Sequence, residues 1–396
     1  MTRPRLLCGS PAVAERWLGG WSPGGPPPQV LLLLAATDTA SVPGISAAGA
    51  TPESRRATAA ADAELLVRGP RGLRPHALPP LPAGVSPALI SHVVVDALAL
   101  HPLVVDLGCA VAPAIPHLRL PPPAGVGPAR CLSTGAAMTS ARVEALVEQG
   151  KRWGRALVNR VPQAPLLLAE CVPGGTTTAQ AVLCGLGVEA LGLVSGSLRR
   201  PVHGLKGALV EQGARRAGLS FGKGAGSDPL AVAAALGDPM QPLAAALLLE
   251  VSLADVPVML AGGSQMAAVL ALALALASPL QRSRLMAVTA LATTRWVAEE
   301  PSSDLVRLLH QLAQRWEVEP LAFASSLRFS SACHPALADY EEGFVKEGVG
   351  AGGLALLWEM GGGDPADLAT TCSAACHELL PVPPGLSGQR LPSTHG

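Results

Sequence analysis

Two glutamates beside glycine-rich turns are the residues of this sequence best suited to chemistry. Glu170 begins the stretch ECVPGGTTTA (170–179), and Glu347 lies in KEGVGAGG (346–353). A carboxylate in a dry cleft has a raised pKa and can therefore act as a general base near neutral pH. A charge beside such a turn also fits a solvated loop, and the sequence alone does not bring the two acids together. We treat them as candidate acids of one site.

The turn after Glu170 has the composition of an anion-binding helix start. Its glycines let backbone amides approach a ligand, and the first turn of a helix presents unpaired N–H groups with partial positive charge. Threonine hydroxyls at that place can cap the helix or bind a phosphate oxygen. The candidate binding residues are Gly174, Gly175, Thr176, Thr177 and Thr178. An ordinary capped helix is the alternative, because the stretch has neither the P-loop lysine nor the spacing of a dinucleotide fingerprint.

Short apolar runs predict the strands that position these turns. Each run leads into a glycine or small polar turn and then a helical pattern, and such units occupy 29–46, 164–183, 256–272 and, more weakly, 320–331. Continuous apolar runs suit strands buried on both faces, and their alternation with helices indicates an α/β architecture. We therefore predict a three-layer, mostly parallel, Rossmann-like sheet with helices on both faces.

Ligands of open parallel sheets collect beyond the carboxyl ends of the strands, so the turns should meet on one rim. The turns concerned are 36–46, 170–178, 261–265 and 347–353.

The rest of the chain is predicted to supply helices, loops and two terminal segments. Helical patterns occupy 140–160 and 228–254, whereas 69–84 and 120–129 are rich in proline and glycine and predict loops. We divide the chain into an N-terminal helical or irregular segment, an α/β nucleotide-binding catalytic domain and a Pro-rich C-terminal tail, with a smaller helical lobe formed by the chain ends. Their ranges are 1–28, 29–360 and 361–396.

Composition argues against several classes of function. Lys plus Arg and Asp plus Glu both number 29, and the 396 residues include one Tyr and four Phe. A balanced charge and few aromatic side chains argue against nucleic-acid binding. The uncharged stretch 256–280 is interrupted by Gly262 to Gln265, so it predicts a strand and a buried helix and no membrane contact.

The cysteines and the N-terminus indicate a cytoplasmic protein. Eight scattered cysteines fit reduced thiols, and the first residues lack the sustained apolar core of a signal peptide. The stretch CSAACH (372–377) has one residue too many for a haem attachment site, and a second ligand pair for zinc is not evident. We predict an ordinary helix or loop there, and no metal site.

Several ordered motifs together resemble the family of nicotinate-nucleotide:dimethylbenzimidazole phosphoribosyltransferases. ECVPGGTTTA resembles that family's Glu-Met-Gly-Ile-Gly-Asn-Thr-Thr-Thr-Ala, with Glu170, Gly174 and the threonines in place. KEGVGAGGLA resembles Gly-Glu-Gly-Thr-Gly-Ala-Ala-Leu-Ala, with Glu347, Gly348 and Gly350 in register. VPVMLAGGSQ, 256–265, resembles a strand and turn of the family, and 228–239 and 36–53 are similar to two further stretches. The resemblance runs from about residue 29 to 358.

The departures from the family pattern lie on the side of the acceptor base. Thr39 stands where the family has a histidine after Asp38, and Ala261, Gly262 and Gly263 stand where it has Asp-Gly-Phe. The Lys-Pro-x-Gly-Ser-Leu-Gly-Arg motif of the benzimidazole pocket is missing. The chain looks like a divergent branch of the archaeal and cyanobacterial type, and its acceptor base is left open.

The resemblance implies a reaction of cobamide lower-ligand synthesis. The phosphoribosyl group of nicotinate mononucleotide would pass to an aromatic base, dimethylbenzimidazole or similar, with release of nicotinate and without a metal or redox cofactor. Glu347 would take the proton of the base, and Glu170 would be the second acid. The remaining substrate-binding residues implied are Lys206, Gly262, Gly263, Ser264, Gly348 and Gly350.

A homodimer is also expected from this resemblance. Two other functions stay open: transfer onto a different base such as a purine, and a nucleotide-binding sensor that has lost catalysis.

Overall fold

One eight-stranded sheet organises the chain. The structure is a computed structural model, and it describes residues 4–21, 24–79, 81, 83–200, 202–222 and 228–380. Strand order across the sheet is β1-β8-β7-β6-β5-β2-β3-β4; β1 and β8 pair antiparallel and all other neighbours are parallel. The strands are β1 Arg5–Cys8, β2 Gln29–Leu34, β3 Leu103–Asp106, β4 Leu118–Arg119, β5 Leu166–Cys171, β6 Val258–Ala261, β7 Thr289–Thr293 and β8 Leu321–Ala324.

Fifteen α-helices connect and cover the strands in the described part of the chain. They are α1 Pro11–Gly19, α2 Pro52–Arg68, α3 Ala88–Ala97, α4 Ser140–Arg160, α5 Gly175–Gly185, α6 His203–Ala217, α7 Pro229–Leu236, α8 Met240–Ser252, α9 Ser264–Leu276, α10 Pro279–Val288, α11 Arg295–Ala298, α12 Leu305–Trp316, α13 Pro335–Glu341, α14 Ala351–Met360 and α15 Pro365–Leu379.

The central strands are apolar throughout because helices cover both faces of the sheet. Along β5, Leu166 and Leu168 belong to one hydrophobic core, and Leu167 and Ala169 belong to the other. This alternation follows from side chains pointing to opposite faces at successive positions of a strand. Helices α4, α5, α8 and α9 pack in the first core, and α3, α14 and α15 pack in the second. The predicted α/β fold with a mostly parallel sheet is therefore confirmed.

Most of the predicted elements occur, with informative differences. The run at 140–160 is a single helix, α4, and the stretch 256–280 divides into β6 and α9 as predicted. In the described residues, no helix combines the length and apolar character that a membrane crossing needs. The predicted helix at 228–254 is two helices, because Pro239 begins a new one after the turn at Gly237.

The terminal segments are more closely tied to the sheet than the sequence indicated. Strand β1 lies in the segment 1–28 and pairs with β8, and α15 holds Cys372 and Cys376 buried within the segment 361–396. Residues 381–396 of the Pro-rich tail lie outside the described residues. The domain boundaries stay a prediction.

The order of the strands defines where a ligand would bind. After β2 the chain adds β3 and β4 on one side, and then β5 returns to the other side of β2. In doubly wound sheets the loops that leave such a pair diverge and form a crevice at the carboxyl ends of the strands. The loops after β2 and β5 therefore border the expected site.

Candidate active site

A cavity of about 260 Å³ lies at this crevice. Its volume is just below the roughly 300–1,000 Å³ typical of small-molecule sites. One side, here called the α2 wall, is formed by residues within 46–87. The other, here called the strand-end wall, comprises 170–176, 195–197, 263–265, 345 and 347–349, and Val297 and Leu380 complete the lining. Each of the four turns expected on one rim contributes to this lining, so their predicted meeting is confirmed.

Glu170 is the last residue but one of strand β5 and lines the cavity, and its side chain is almost fully buried. Its Oε2 accepts the backbone N–H of Val172 at 3.0 Å. Burial, together with the nearby Glu347 carboxylate, raises the pKa of Glu170 to about 8. The two acids belong to adjoining segments, since the backbone N–H of Val349 donates to the Glu170 carbonyl at 2.9 Å. Glu170 therefore holds a proton at neutral pH and can exchange it.

Glu347 lies in the same cavity but is held by four donors. Its Oε2 accepts the hydroxyl of Thr293 at 3.1 Å and the N–H of Thr294 at 2.8 Å. Its Oε1 accepts the N–H groups of Gly348 and Gly352, both at 3.1 Å. Burial raises the pKa of Glu347, and these four bonds oppose the rise. A carboxylate has about four lone-pair positions, so the protein itself occupies the acceptor capacity of Glu347.

The glycines after Glu347 allow this arrangement. Helix α14 begins directly above the end of β7, and a Cβ at Gly352 would overlap the backbone of Thr293 and Thr294. At Gly350, whose φ is +75°, a Cβ would lie 2.7 Å from the Cβ of Ala169. The run GVGAGG therefore seats a helix start on the strand ends, and the Glu347 carboxylate joins the two.

The predicted threonine turn follows Glu170 and begins helix α5. Gly174 has φ +79° and lies so close to the loop after β2 that a Cβ there would be 2.9 Å from the Ala40 nitrogen. Gly174, Gly175 and Thr176 line the cavity. Thr177 is fully buried, and the Thr178 hydroxyl lies 2.5 Å from Asp238 Oδ2. One threonine of the three therefore faces the cavity, and the other two pack behind it.

Two buried lysines stand behind the strand-end wall at residues 195–197. The Lys206 Nζ donates to the Thr176 hydroxyl at 3.1 Å and to the Ser195 carbonyl at 2.7 Å. Lys346 pairs with Glu300 at 3.1 Å, and Glu300 accepts the Ser195 hydroxyl at 2.5 Å. Burial lowers the pKa of Lys206 to about 8; Glu300 opposes this and Lys346 adds to it. With both lysines charged, two cations and one carboxylate leave a net positive charge behind Ser195.

The remaining predicted residues divide between the lining and the layer behind it. Gly263, Ser264 and Gly348 line the cavity, and the Ser264 hydroxyl accepts the N–H of Ser195 at 3.1 Å. Gly262 and Gly350 lie behind them, where Gly262 donates its N–H to the Ala292 carbonyl at 2.9 Å.

The α2 wall contains an acid that the sequence analysis did not identify. Asp62 is buried and lines the cavity, and its Oδ1 accepts the Ser86 hydroxyl at 2.6 Å. Its signal in the sequence is an aspartate among the alanines of TAAADAELL, two residues before Glu64, on a helix whose other buried positions are mainly apolar. Glu300 and Lys346 were also missed, because they pair across 46 residues of chain.

Comparison with known proteins gives relatives along nearly the whole chain. A UPF0284 protein of Prochlorococcus marinus (strain MIT 9313) is 51% identical over 375 residues, covering 93% of this chain and 91% of the relative. A UPF0284 protein of Parasynechococcus marenigrum (strain WH8102) is 52% identical over 365 residues, covering 91% of this chain and 89% of the relative. No protein-family model matches the chain.

Two solved structures share the fold. CobT from Thermus thermophilus superposes with a TM-score of 0.55 at 20% identity, covering 93% of this chain and 89% of that one. A structure of nicotinate-nucleotide-dimethylbenzimidazole phosphoribosyltransferase from the same organism gives a TM-score of 0.53 at 20% identity, covering 93% of this chain and 88% of that one. The family resemblance seen in the motifs is thus confirmed at the level of the fold.

Proposed function

Since this chain belongs to the UPF0284 protein family and shares its fold with a phosphoribosyltransferase, we propose that it is itself a phosphoribosyltransferase. It transfers the phosphoribosyl group of nicotinate mononucleotide to an aromatic base in the synthesis of a cobamide lower ligand. The observation that carries this proposal is one cavity that holds the buried Glu170 and the half-buried Glu347 together with a glycine-threonine helix start.

The strand-end wall suits the nucleotide phosphate at residues 174–176 and 195–197. The start of α5 adds the partial positive charge of a helix N-terminus, and Thr176 and Ser197 offer hydroxyl donors. Lys206 and Lys346 supply the net positive charge behind this end. A dianionic phosphate placed there stabilises the ammonium form of Lys206, whose pKa burial otherwise lowers.

The two glutamates have different roles in this proposal. The base nitrogen attacks ribose C1′, the bond from C1′ to the nicotinate nitrogen breaks, and nicotinate leaves with that electron pair. The proton of the base nitrogen passes to Glu170, whose carboxylate has two protein donors, the Val172 N–H and the Gln265 side chain, against four at Glu347, and therefore has room to accept. Glu347, which the resemblance names as the base, instead fixes the loop and raises the pKa of Glu170 toward the value useful for catalysis.

A product assay tests the proposal directly. Purified protein is incubated with nicotinate mononucleotide and a panel of benzimidazoles and purines, and the products are separated by chromatography with mass detection. We expect a base riboside phosphate and free nicotinate in equal amounts. Nucleotide binding without any product would instead identify a sensor. The homodimer and the cytoplasmic location stay predictions; sedimentation velocity tests the first.

A further inference from the structure

The α2 wall places a buried acid where a ligand ring would reach it. Asp62 is 5% exposed and lines the cavity. Its Oδ1 accepts the hydroxyl of Ser86 at 2.6 Å, and its Oδ2 accepts the thiol of Cys171 at 3.4 Å. Each carboxylate oxygen has about two lone-pair positions, so one position on each oxygen is left for a ligand.

The neighbours of Asp62 do not neutralise it. Among the described residues the groups that act on its charge are the Ser86 hydroxyl and the Cys171 thiol, which are both uncharged donors, and burial raises the pKa of Asp62 to about 6. A buried carboxylate without a cation is costly, and further donors reduce that cost. Asp62 therefore has a deficit of donors that a ligand can fill.

The surroundings of Asp62 fit the edge of a flat ring. Leu78, Val85 and Pro87 form an aliphatic part of the same wall. Cys171, which donates to Asp62, is the residue directly after Glu170. A base that presents its reacting nitrogen to Glu170 has its remaining ring edge along this wall.

We propose that Asp62 determines which base is accepted, by selecting one that carries a hydrogen-bond donor, an amino or hydroxyl group, on its ring edge. This inference rests on the proposed function, because the ligand of the α2 wall is taken to be the acceptor base. An alkylated benzimidazole offers only methyl groups there and leaves the buried carboxylate without its donors. A site built to hydrogen-bond a polar group discriminates strongly against an analogue that lacks it.

The test uses bases that differ only in an amino or a methyl group. The pairs are adenine with 6-methylpurine, and 5-aminobenzimidazole with 5-methylbenzimidazole. We expect kcat/KM to favour the amino member of at least one pair about tenfold or more in the wild type. Asp62→Leu, which offers an apolar surface of similar size, should abolish or reverse that preference. The control Asp96→Asn changes an exposed acid of α3 and should leave the ratio unchanged.

Two outcomes separate this inference from the proposed function. If transfer occurs but the amino and methyl members react equally, the role of Asp62 is overturned and the proposed function stands. If no base reacts, the proposed function fails, and calorimetry decides the inference: adenine should still bind more tightly than 6-methylpurine, and equal affinities would overturn it. Equal wild-type ratios overturn the inference whether or not Asp62→Leu folds; if it does not fold, Asp62→Asn takes its place and should narrow the preference for the amino member.

Discussion

Replacing Glu170 by glutamine should abolish most of the turnover while leaving the nucleotide bound. Glutamine keeps the size of the side chain and cannot accept the proton of the base. General-base help is typically worth ~10²–10⁴-fold, so we expect kcat to fall by about 10²-fold or more. Glu347→Gln is the matched comparison: it replaces one acceptor oxygen by an NH₂ group that faces N–H or O–H donors. We expect it to lower stability, and to lower kcat less than Glu170→Gln does.

The pH dependence gives a magnitude for the same role. With a pKa of about 8, Glu170 is ionised in roughly one molecule in ten at pH 7 and in roughly nine of ten at pH 9. If its carboxylate accepts the proton, kcat/KM should rise about ninefold over that range and then level off. Glu170→Gln should lose this rise.

Folding stability supplies an independent measurement. The pKa of Glu170 is about 8 in the folded protein against an ordinary 4.5, so the folded state keeps a proton there that the unfolded state has released. The free energy of unfolding therefore falls as the pH rises from 4.5 to 8. This gap corresponds to roughly 5 kcal/mol as an upper bound for the one group. Since glutamine does not titrate, Glu170→Gln should become more stable relative to the wild type across that window.

Urea unfolding at pH 5, 7 and 9 and single-turnover kinetics on both variants complete the experiment. Two results would refute the reasoning: near-normal turnover in Glu170→Gln, or a stability difference from the wild type that stays constant with pH. If Glu347→Gln lost turnover at unchanged stability while Glu170→Gln kept normal turnover, Glu347 would be the general base.

Two further predictions concern the helix start of α14 and the phosphate end. Gly352→Ala should destabilise the protein by ~1–3 kcal/mol or more in urea unfolding, because the added Cβ overlaps the end of β7. The control Gly361→Ala, at the other end of α14, should be tolerated. Equal losses of stability in the two variants would contradict this prediction. Lys206→Met should weaken nicotinate mononucleotide about tenfold or more by calorimetry and leave nicotinate riboside unchanged, with the exposed Lys151→Met as control. An equal loss of affinity for the nucleotide and the riboside would contradict the proposal that Lys206 supports phosphate binding.

Much of the fold could be predicted from the sequence because the central strands carry their signal locally. The run QVLLLL is apolar at every position after the first, which is typical of a strand covered on both faces. Strand β7 was missed because TALAT is short and of mixed polarity. It is buried through pairing with β6 and β8, which are distant in sequence.

The site was predictable only as far as its motifs are continuous. The turns at 170–178 and 347–353 could be recognised, and the sheet brings them together. Two of the hydrogen-bond donors to the Glu347 carboxylate could not be predicted from the sequence, because Thr293 and Thr294 lie more than 50 residues earlier in the chain. Asp62 escaped notice because an acid in an alanine-rich helix, close to a second acid at Glu64, looks like an ordinary solvated position until tertiary packing buries it.

The two walls of the cavity differ in how the chain encodes them. The α2 wall comes from one contiguous stretch, 46–87, whereas the strand-end wall is collected from four separate segments fixed to the strand ends. A change in the preferred acceptor base could therefore arise from exchange of one segment of the chain. Exchanging 46–87 replaces one wall without disturbing the helix start at Gly352. In relatives with a different base, variation should concentrate in that stretch, and chimaeras exchanged there should transfer base preference between parents.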